Sequence, residues 1–421
     1  MSLPTTVAAS SLAERIEAAA KAAEERVIAW RRDFHEHPEL GNRETRTAAI
    51  VAAHLRALGC DAVQTGVAHT GVVGLLKGAL PGPVVALRAD MDALPVTEEV
   101  DLPFASKAKA QWNGETVGVM HACGHDCHTA ILMGVAEVLA GVRAQLRGSV
   151  KFIFQPAEEM PPEGEEGGAK MMIAEGALQD PVPQAIFGLH VTSRQHVGVL
   201  GYRSGPTMAS SDRFRITVHG RQTHGAAPWM GVDPIVTSAQ VVLGLQTIVA
   251  RGLDISREPA VVTVGMIKGG VRENIIPETV EMRGTIRTFD EGMRDDVHER
   301  VTTLAEAVAR GSRAGCTVCI DKNYPVTVND PALTELMLPT LQRVAGAEKV
   351  HHVPKVTGSE DFSYFQRLVP GLFFFVGVTA PEIDPAKTAP NHSPRFRVDE
   401  RALLLGVRSL AHLTCDFLEG Q

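Results

Sequence analysis

Cysteine is scarce in this chain: six in 421 residues, at Cys60, Cys123, Cys127, Cys316, Cys319 and Cys415. That is too few for a disulfide scaffold at this length, and it points to a reduced, cytoplasmic protein. A basic surplus is absent too, with Lys+Arg 41 against Asp+Glu 49 and a net charge of −8. This argues against nucleic acid and against an anionic membrane surface as main partners. No apolar run approaches the ~18 residues needed to span a bilayer. The N-terminus carries no apolar signal core; residues 12–32 alternate alanine with Glu, Lys and Arg and read as a surface helix. Repeats, low-complexity tracts and long flexible linkers are missing as well. What remains, 44% hydrophobic and 21% charged, is ordinary globular chain. Its length predicts two or three domains and an ample core.

From about residue 12 to 201 the pattern alternates helix and strand. Helical periodicity runs through 13–32 and 44–58, the second ending at Gly59 as a C-terminal cap. Continuous apolar runs at 84–87, 150–154 and 185–189 read as strands buried on both faces. Each stops at a polar group: Arg88 to Asp92, Gln155 to Glu159, and His190. Ligands bind beyond the carboxyl ends of strands in such sheets, so three endings of this kind converge on one site. Between 205 and 324 the order changes to strand 213–219, helix 233–251, strands 261–268 and 279–287, helix 291–314 and strand 316–324. That βαββαβ order is ferredoxin-like. The expected fold is therefore α/β: a catalytic domain with a central, mostly parallel sheet and flanking helices, formed by 1–204 and 325–421, interrupted by an inserted ferredoxin-like domain at 205–324.

The chemistry concentrates in Met120-His121-Ala122-Cys123-Gly124-His125-Asp126-Cys127-His128. Cys123 and His125, with His190 at a strand end, form a thiolate–imidazole set that suits zinc-like ions better than calcium or magnesium. In Glu158-Glu159, adjacent side chains of an extended stretch point in opposite directions. One can grip a metal while the other takes a proton from metal-acidified water and passes it to a leaving amine. Asp90 or Asp92 can orient a ligand histidine, or Asp92 can cap the turn before Pro95. His224, in a glycine-rich turn, can donate to an oxyanion or can be a turn histidine. Arg272, Asn274 and Arg287 are candidates for a substrate carboxylate, arginine because its fork suits bidentate recognition. Gly358, in the turn Gly358-Ser359-Glu360-Asp361-Phe362, is a further candidate for substrate contact. Cys316 and Cys319 have redox-motif spacing but sit inside a strand pattern and read as structural.

Arg88 to Pro95, His121 to His128, Gln155 to Glu159, His224-Gly225-Ala226-Ala227-Pro228, Gly358 to Phe362 and Asn391-His392-Ser393 occur in that order over nearly the whole chain. In this the chain resembles the metallo-amidohydrolase family of aminoacylase-1 and carboxypeptidase G. It looks most like the branch of hippurate hydrolases, N-acyl-amino-acid amidohydrolases and indoleacetyl-amino-acid hydrolases, which the Cys-Gly-His-Asp cluster marks. The resemblance implies two divalent ions per chain (zinc, or manganese, cobalt or nickel) held by Cys123, His125, Glu159, His190 and His392. Two ions with three protein ligands each need six positions, so one of the five must bridge. It further implies Glu158 as general base, Asp92 as the partner that orients a ligand, and His224 as the oxyanion donor. The inserted domain would be a lid that dimerises. Where this branch commonly carries a histidine after His-Gly-Ala-Ala-Pro, this chain has Trp229, which points to a more apolar or differently shaped mouth.

The implied reaction is hydrolysis of a small N-acyl amino acid to a carboxylic acid and a free amino acid, by a homodimer without nucleic-acid or membrane partners. The alternatives within the fold are a dipeptidase or a deacetylase of an acylated diamino acid. A cysteine hydrolase using Cys123 leaves Glu158, Glu159 and His190 unexplained. A non-catalytic relative leaves the intact Glu158 unexplained.

Overall fold

The three apolar runs are central strands of one sheet in the computed structural model, which describes residues 10–420. Residues 1–9, part of the stretch read above as lacking a signal core, lie outside the described residues. The strands are β1 Ala62–Val67, β2 Gly71–Lys77, β3 Leu80–Asp90, β4 Arg147–Gln155, β5 Ala185–His196, β6 Leu200–Tyr202, β7 Val350–His352 and β8 Gly371–Thr379. They pair in the order β1-β2-β4-β3-β5-β8-β6-β7. The inner four, β4, β3, β5 and β8, are parallel, while β2 meets β4 and β6 meets β8 antiparallel. Every residue of β8 is buried, without alternation, because helices cover both faces of the sheet's centre.

The helix Leu12–Glu36 begins at Ser11, whose hydroxyl accepts from the Glu14 amide while the Glu14 carboxylate accepts from the Ser11 amide. It buries Ile16, Ala20, Ala23, Val27 and Phe34 along one stripe. That stripe packs on the helices His125–Gly141 and Arg401–Glu419. Large apolar side chains buried there each contribute roughly 1.5–3 kcal/mol. His125–Gly141 is almost wholly enclosed, so the group at its first residue has little freedom.

The chain divides into two compact units. One holds the chain up to Gly205, Asn329–Val353, and Tyr364 onward; the other holds Pro206–Val328 and Pro354–Ser363. Pro354–Ser363, assigned above to the catalytic part, joins the second unit through backbone bonds: the Ala209 amide donates to the Val356 and Gly358 carbonyls at 3.0 and 2.9 Å. In the second unit the strands Asp212–His219, Ala260–Gly269, Thr279–Thr288 and Gly315–Lys322 form one antiparallel sheet. The first strand lies between the third and fourth, and the second is at the edge. This is the ferredoxin-like order, with the helices Pro234–Thr247 and Glu291–Gly311 as its two crossovers.

One expectation fails here. Pro234–Gly252, a helix whose last turn is of the π type, is 19 residues with mean hydropathy 1.2, long and apolar enough by composition to cross a membrane. Its interior Thr, Ser and Gln residues break the apolar run in the sequence without adding charge. Thr237, Val241, Leu245 and Ile248 are buried within the unit, whereas Val236 and Leu243 are 56% and 71% exposed.

Candidate metal centre

The site is built where β3 and β4 end and beside the middle of β5. β3 ends at Asp90 and is followed by Met91 and Asp92; past β4 come Pro156 to Glu159. His190 is not at a strand end, since β5 continues to His196. Pairing of β5 with β3 stops at Arg88–Gly188, however, so His190 lies two residues beyond that neighbour. Gly124 precedes the helix His125–Gly141 with φ 93°, and a Cβ there would come within 2.4 Å of Val191 Cγ2. Only glycine turns the chain between Cys123 and His125 this tightly. The Asn391 side-chain amide donates to the Cys123 and Val191 carbonyls at 2.9 and 3.1 Å, and the His392 amide to the Ala122 carbonyl at 2.8 Å. These bonds fasten His392 across 270 residues of sequence, too far for any local pattern to show.

Cys123 Sγ lies 3.3 Å from His190 Nε2 and 3.2 Å from His392 Nε2. His392 Nε2 in turn lies 3.0 Å from Glu159 Oε1. The donor atoms of Cys123, His125 and His190 all fall within 4.8 Å of one another, as do those of Cys123, Glu159 and His392. Cys123 is the member common to both sets. All five residues are therefore brought together, with a thiol at the shared position. Glu158 Oε2 is 3.9 Å from His125 Nε2; Glu158 belongs to neither of these two sets, though its carboxylate also comes within 4.8 Å of the donor atoms of His125 and Glu159, one ligand from each.

The orientation of the imidazoles fits ligation. His125 Nδ1 lies 3.1 Å from Asp92 Oδ1 and donates to it, leaving a buried Nε2 with no hydrogen-bond partner among the described residues. His190 Nδ1 donates to the Val191 carbonyl at 2.7 Å, which also leaves its Nε2 as the outward lone pair. Asp92 does more than orient a histidine: its Oδ2 accepts from the Glu159 amide at 2.8 Å. Asp90, His125 and His128 also come close together, but His128 is spent. Its Nδ1 donates to Asp90 Oδ1 at 2.6 Å and its Nε2 accepts from the Val191 amide at 2.9 Å. His121 and Cys127, also in the ligand-rich cluster, are in none of the donor sets.

Charge in the site is dominated by carboxylates. Burial opposes a charged His125, yet Asp90, Asp92 and Glu159 hold it up at about 10. Burial, with Glu159, Glu158 and Asp90, pushes the Cys123 thiol well above its usual range. Burial and the neighbouring His128 and His125 push His190 well down. The Glu159 carboxylate beside it raises His392. A thiol, imidazoles and clustered carboxylates form a donor set that divalent cations of the zinc type both neutralise and organise, displacing the protons that the thiol and His125 otherwise keep.

The two glutamates are parted by a turn, not by the alternation of an extended strand. Ala157 has φ 51° and Met160 φ 81°, so the chain reverses immediately after β4. In the second unit, His224 and Asn274 are brought together: the Gly225 amide donates to the Asn274 carbonyl at 2.8 Å, and both side chains line a pocket with Gln222, Thr223, Arg272 and Ile275. His224 Nδ1 accepts from the Ala226 amide at 3.0 Å, which leaves Nε2–H as the donor. Arg287 is not in that pocket; its Nη1 donates to Ser359 Oγ at 3.2 Å, beside Gly358. Trp229 is 76% exposed. The sequence names Asp90 as a candidate partner of a histidine but not His128 as the one it holds, and it gives no sign of what Glu44 binds. His128 carried a signal, being three residues past His125 on one helical face; Glu44 read only as a helix start.

Residues 86–416 match the peptidase family M20/M25/M40. The chain is 40% identical to thermostable carboxypeptidase 2 of Saccharolobus solfataricus over 96% of this chain and 99% of that one. It is 38% identical to N-acetylcysteine deacetylase of Bacillus subtilis, over 95% and 98%. A Bacillus subtilis protein described as a dinuclear metal-binding peptidase of the M20 family superposes with a TM-score of 0.79 at 36% identity, covering 95% of this chain and 100% of that chain.

Proposed function

The chain belongs to peptidase family M20/M25/M40 and is a metal-dependent hydrolase; we propose that it cleaves the amide bond of N-acyl amino acids, releasing a carboxylic acid and a free amino acid. The observation that carries this reading is the pair of donor sets sharing Cys123, with Glu158 beside them and in neither. Cys123, His125 and His190 would hold one divalent ion, and Cys123, Glu159 and His392 the other. Ions held there lower the pKa of water toward ~7 and polarise an amide carbonyl. Asp92 fixes both His125 and the Glu159 backbone, keeping a ligand of each set in register. Glu158 takes the proton of the attacking water and returns it to the leaving amine. His224, through Nε2–H, donates to the oxyanion. Asn274, Arg287 and the Gly358 backbone would bind the substrate carboxylate.

The substrate class rests on a shared chemical unit. A carboxypeptidase substrate and an N-acetylated amino acid both present an acylated nitrogen next to a free α-carboxylate, and relatives bear names of both kinds. Free amino acid should therefore appear from a panel of N-acetyl, N-benzoyl and N-indoleacetyl amino acids, and stop when a chelator is added. Release that persists with the ions removed would overturn the reading.

We also propose that the chain forms a homodimer through its second unit. Two observations support this: the exposed apolar residues Val236 and Leu243 on one helix, and Val261 and Ile267 on the edge strand, 40% and 54% exposed. Sedimentation equilibrium should give twice the chain mass, and the monomer mass after Leu243→Asp; a monomeric parent chain would contradict it.

A further inference from the structure

The turn that delivers Glu158 is expensive to form. A non-glycine residue at φ 51°, as Ala157 is, is strained and persists only where its surroundings hold it there. The holding group is Glu44. Its Oε1 accepts from the Ala157 amide at 2.9 Å and its Oε2 accepts from the Thr70 hydroxyl at 2.5 Å. Glu44 and Ala157 are both 0% exposed. Gly41, three residues earlier, packs so closely that a Cβ on it would lie 3.2 Å from Ala157 Cα. On the other side of Glu158, the Glu159 amide is held by Asp92. The amides on either side of Glu158 are thus each bound by a buried carboxylate from a different element, Glu44 just before the helix Thr45–Ala57 and Asp92 just after β3.

We propose that Glu44 is a positioning residue for the general base: by fixing the Ala157 amide it sets the direction in which Glu158 leaves the chain. A buried carboxylate is a costly way to bind one amide, and a structural helix start would need only a short capping side chain. Burial, with Asp92 nearby, pushes the Glu44 carboxyl up to about 8, so the group serves Ala157 as a hydrogen-bond acceptor and not as a charge. The task requires an acceptor oxygen of this length and not a charge. Glutamine meets it, its carbonyl on Ala157 and its NH2 toward the Thr70 hydroxyl; alanine cannot.

The inference rests on Glu158 being the base, and the test separates the two. Steady-state kinetics on the purified, metal-supplied full chain, with metal content and unfolding measured in parallel, should give Glu44→Ala with unchanged metal content. Its kcat per folded chain should be lower on the order of 10- to 100-fold, the effect of a misplaced group, with KM little altered. Glu44→Gln should recover kcat to within about threefold of the parent, because the hydrogen bond is restored. Should Glu44→Ala not fold, Thr70→Val, which removes one of the two donors that fix the carboxylate, must still lower kcat without changing metal content. An unchanged kcat per folded chain in Glu44→Ala, or a Gln variant as impaired as the Ala variant, overturns the proposal while leaving the base assignment standing. Full activity in Glu158→Gln removes both.

Discussion

Replacing Glu158 with glutamine leaves the metal content unchanged and lowers kcat by about 10²- to 10⁴-fold, the range a general acid–base group supplies. The amide keeps the shape and the hydrogen-bonding capacity of the carboxylate but cannot take a proton. Metal is retained because neither donor set that shares Cys123 includes Glu158. The neighbouring change, Glu159→Gln, has the opposite signature: it removes the carboxylate 3.0 Å from His392 and with it metal from the set of Cys123, Glu159 and His392. Elemental analysis of the two purified variants, beside their rates, checks the pair. Loss of metal from Glu158→Gln with retention in Glu159→Gln would mean that the two glutamates have exchanged roles.

Substituting Cys123 with alanine lowers affinity for both ions together. Loss of a group that merely orients a ligand costs about 10- to 100-fold in affinity; removing the one donor common to both sets should cost more. The pH dependence has a definite sign. A thiol must lose its proton to bind a metal and an imidazole must be neutral, so binding releases protons and affinity falls as pH falls. The effect is steep in this site, because burial and the carboxylates Glu159, Glu158 and Asp90 raise the Cys123 thiol well above its ordinary range. Asp90, Asp92 and Glu159 likewise favour the protonated form of His125 against burial. Competition with a metal-sensitive dye across pH should show fewer protons released per bound ion in Cys123→Ala. An alanine variant that binds both ions as tightly as the parent would exclude a shared thiolate.

How much of this was legible beforehand follows from the range over which each signal acts. Central strands announce themselves locally, because burial on both faces leaves an unbroken apolar run, and the groups just past 87 and 154 could be placed without tertiary information. His190 follows an apolar run that reads as a strand ending there, but the strand continues and its pairing with the neighbouring strand stops instead. The alternation argument for Glu158 and Glu159 does not hold, since the two residues lie in a turn between left-handed residues at Ala157 and Met160 and not in an extended strand. His392 entered through resemblance alone. Its place depends on bonds from Asn391 to Cys123 and Val191, which no spacing rule encodes. Glu44 was invisible for the same reason: a glutamate opening a helix is ordinary until its carboxylate is seen to hold an amide 113 residues away. In the helix Pro234–Gly252, uncharged Thr, Ser and Gln interrupt the apolar run more than they lower its mean hydropathy.

The metal content of the unsubstituted chain decides most directly between two ions sharing the Cys123 thiolate and a single ion. Protein purified with divalent metal supplied, freed of loosely bound ions and submitted to elemental analysis, should carry about two ions per chain, as two three-ligand sets sharing one donor require. Tight binding of a single ion, with no second ion taken up at any metal concentration that preserves the fold, would contradict a shared-thiolate pair.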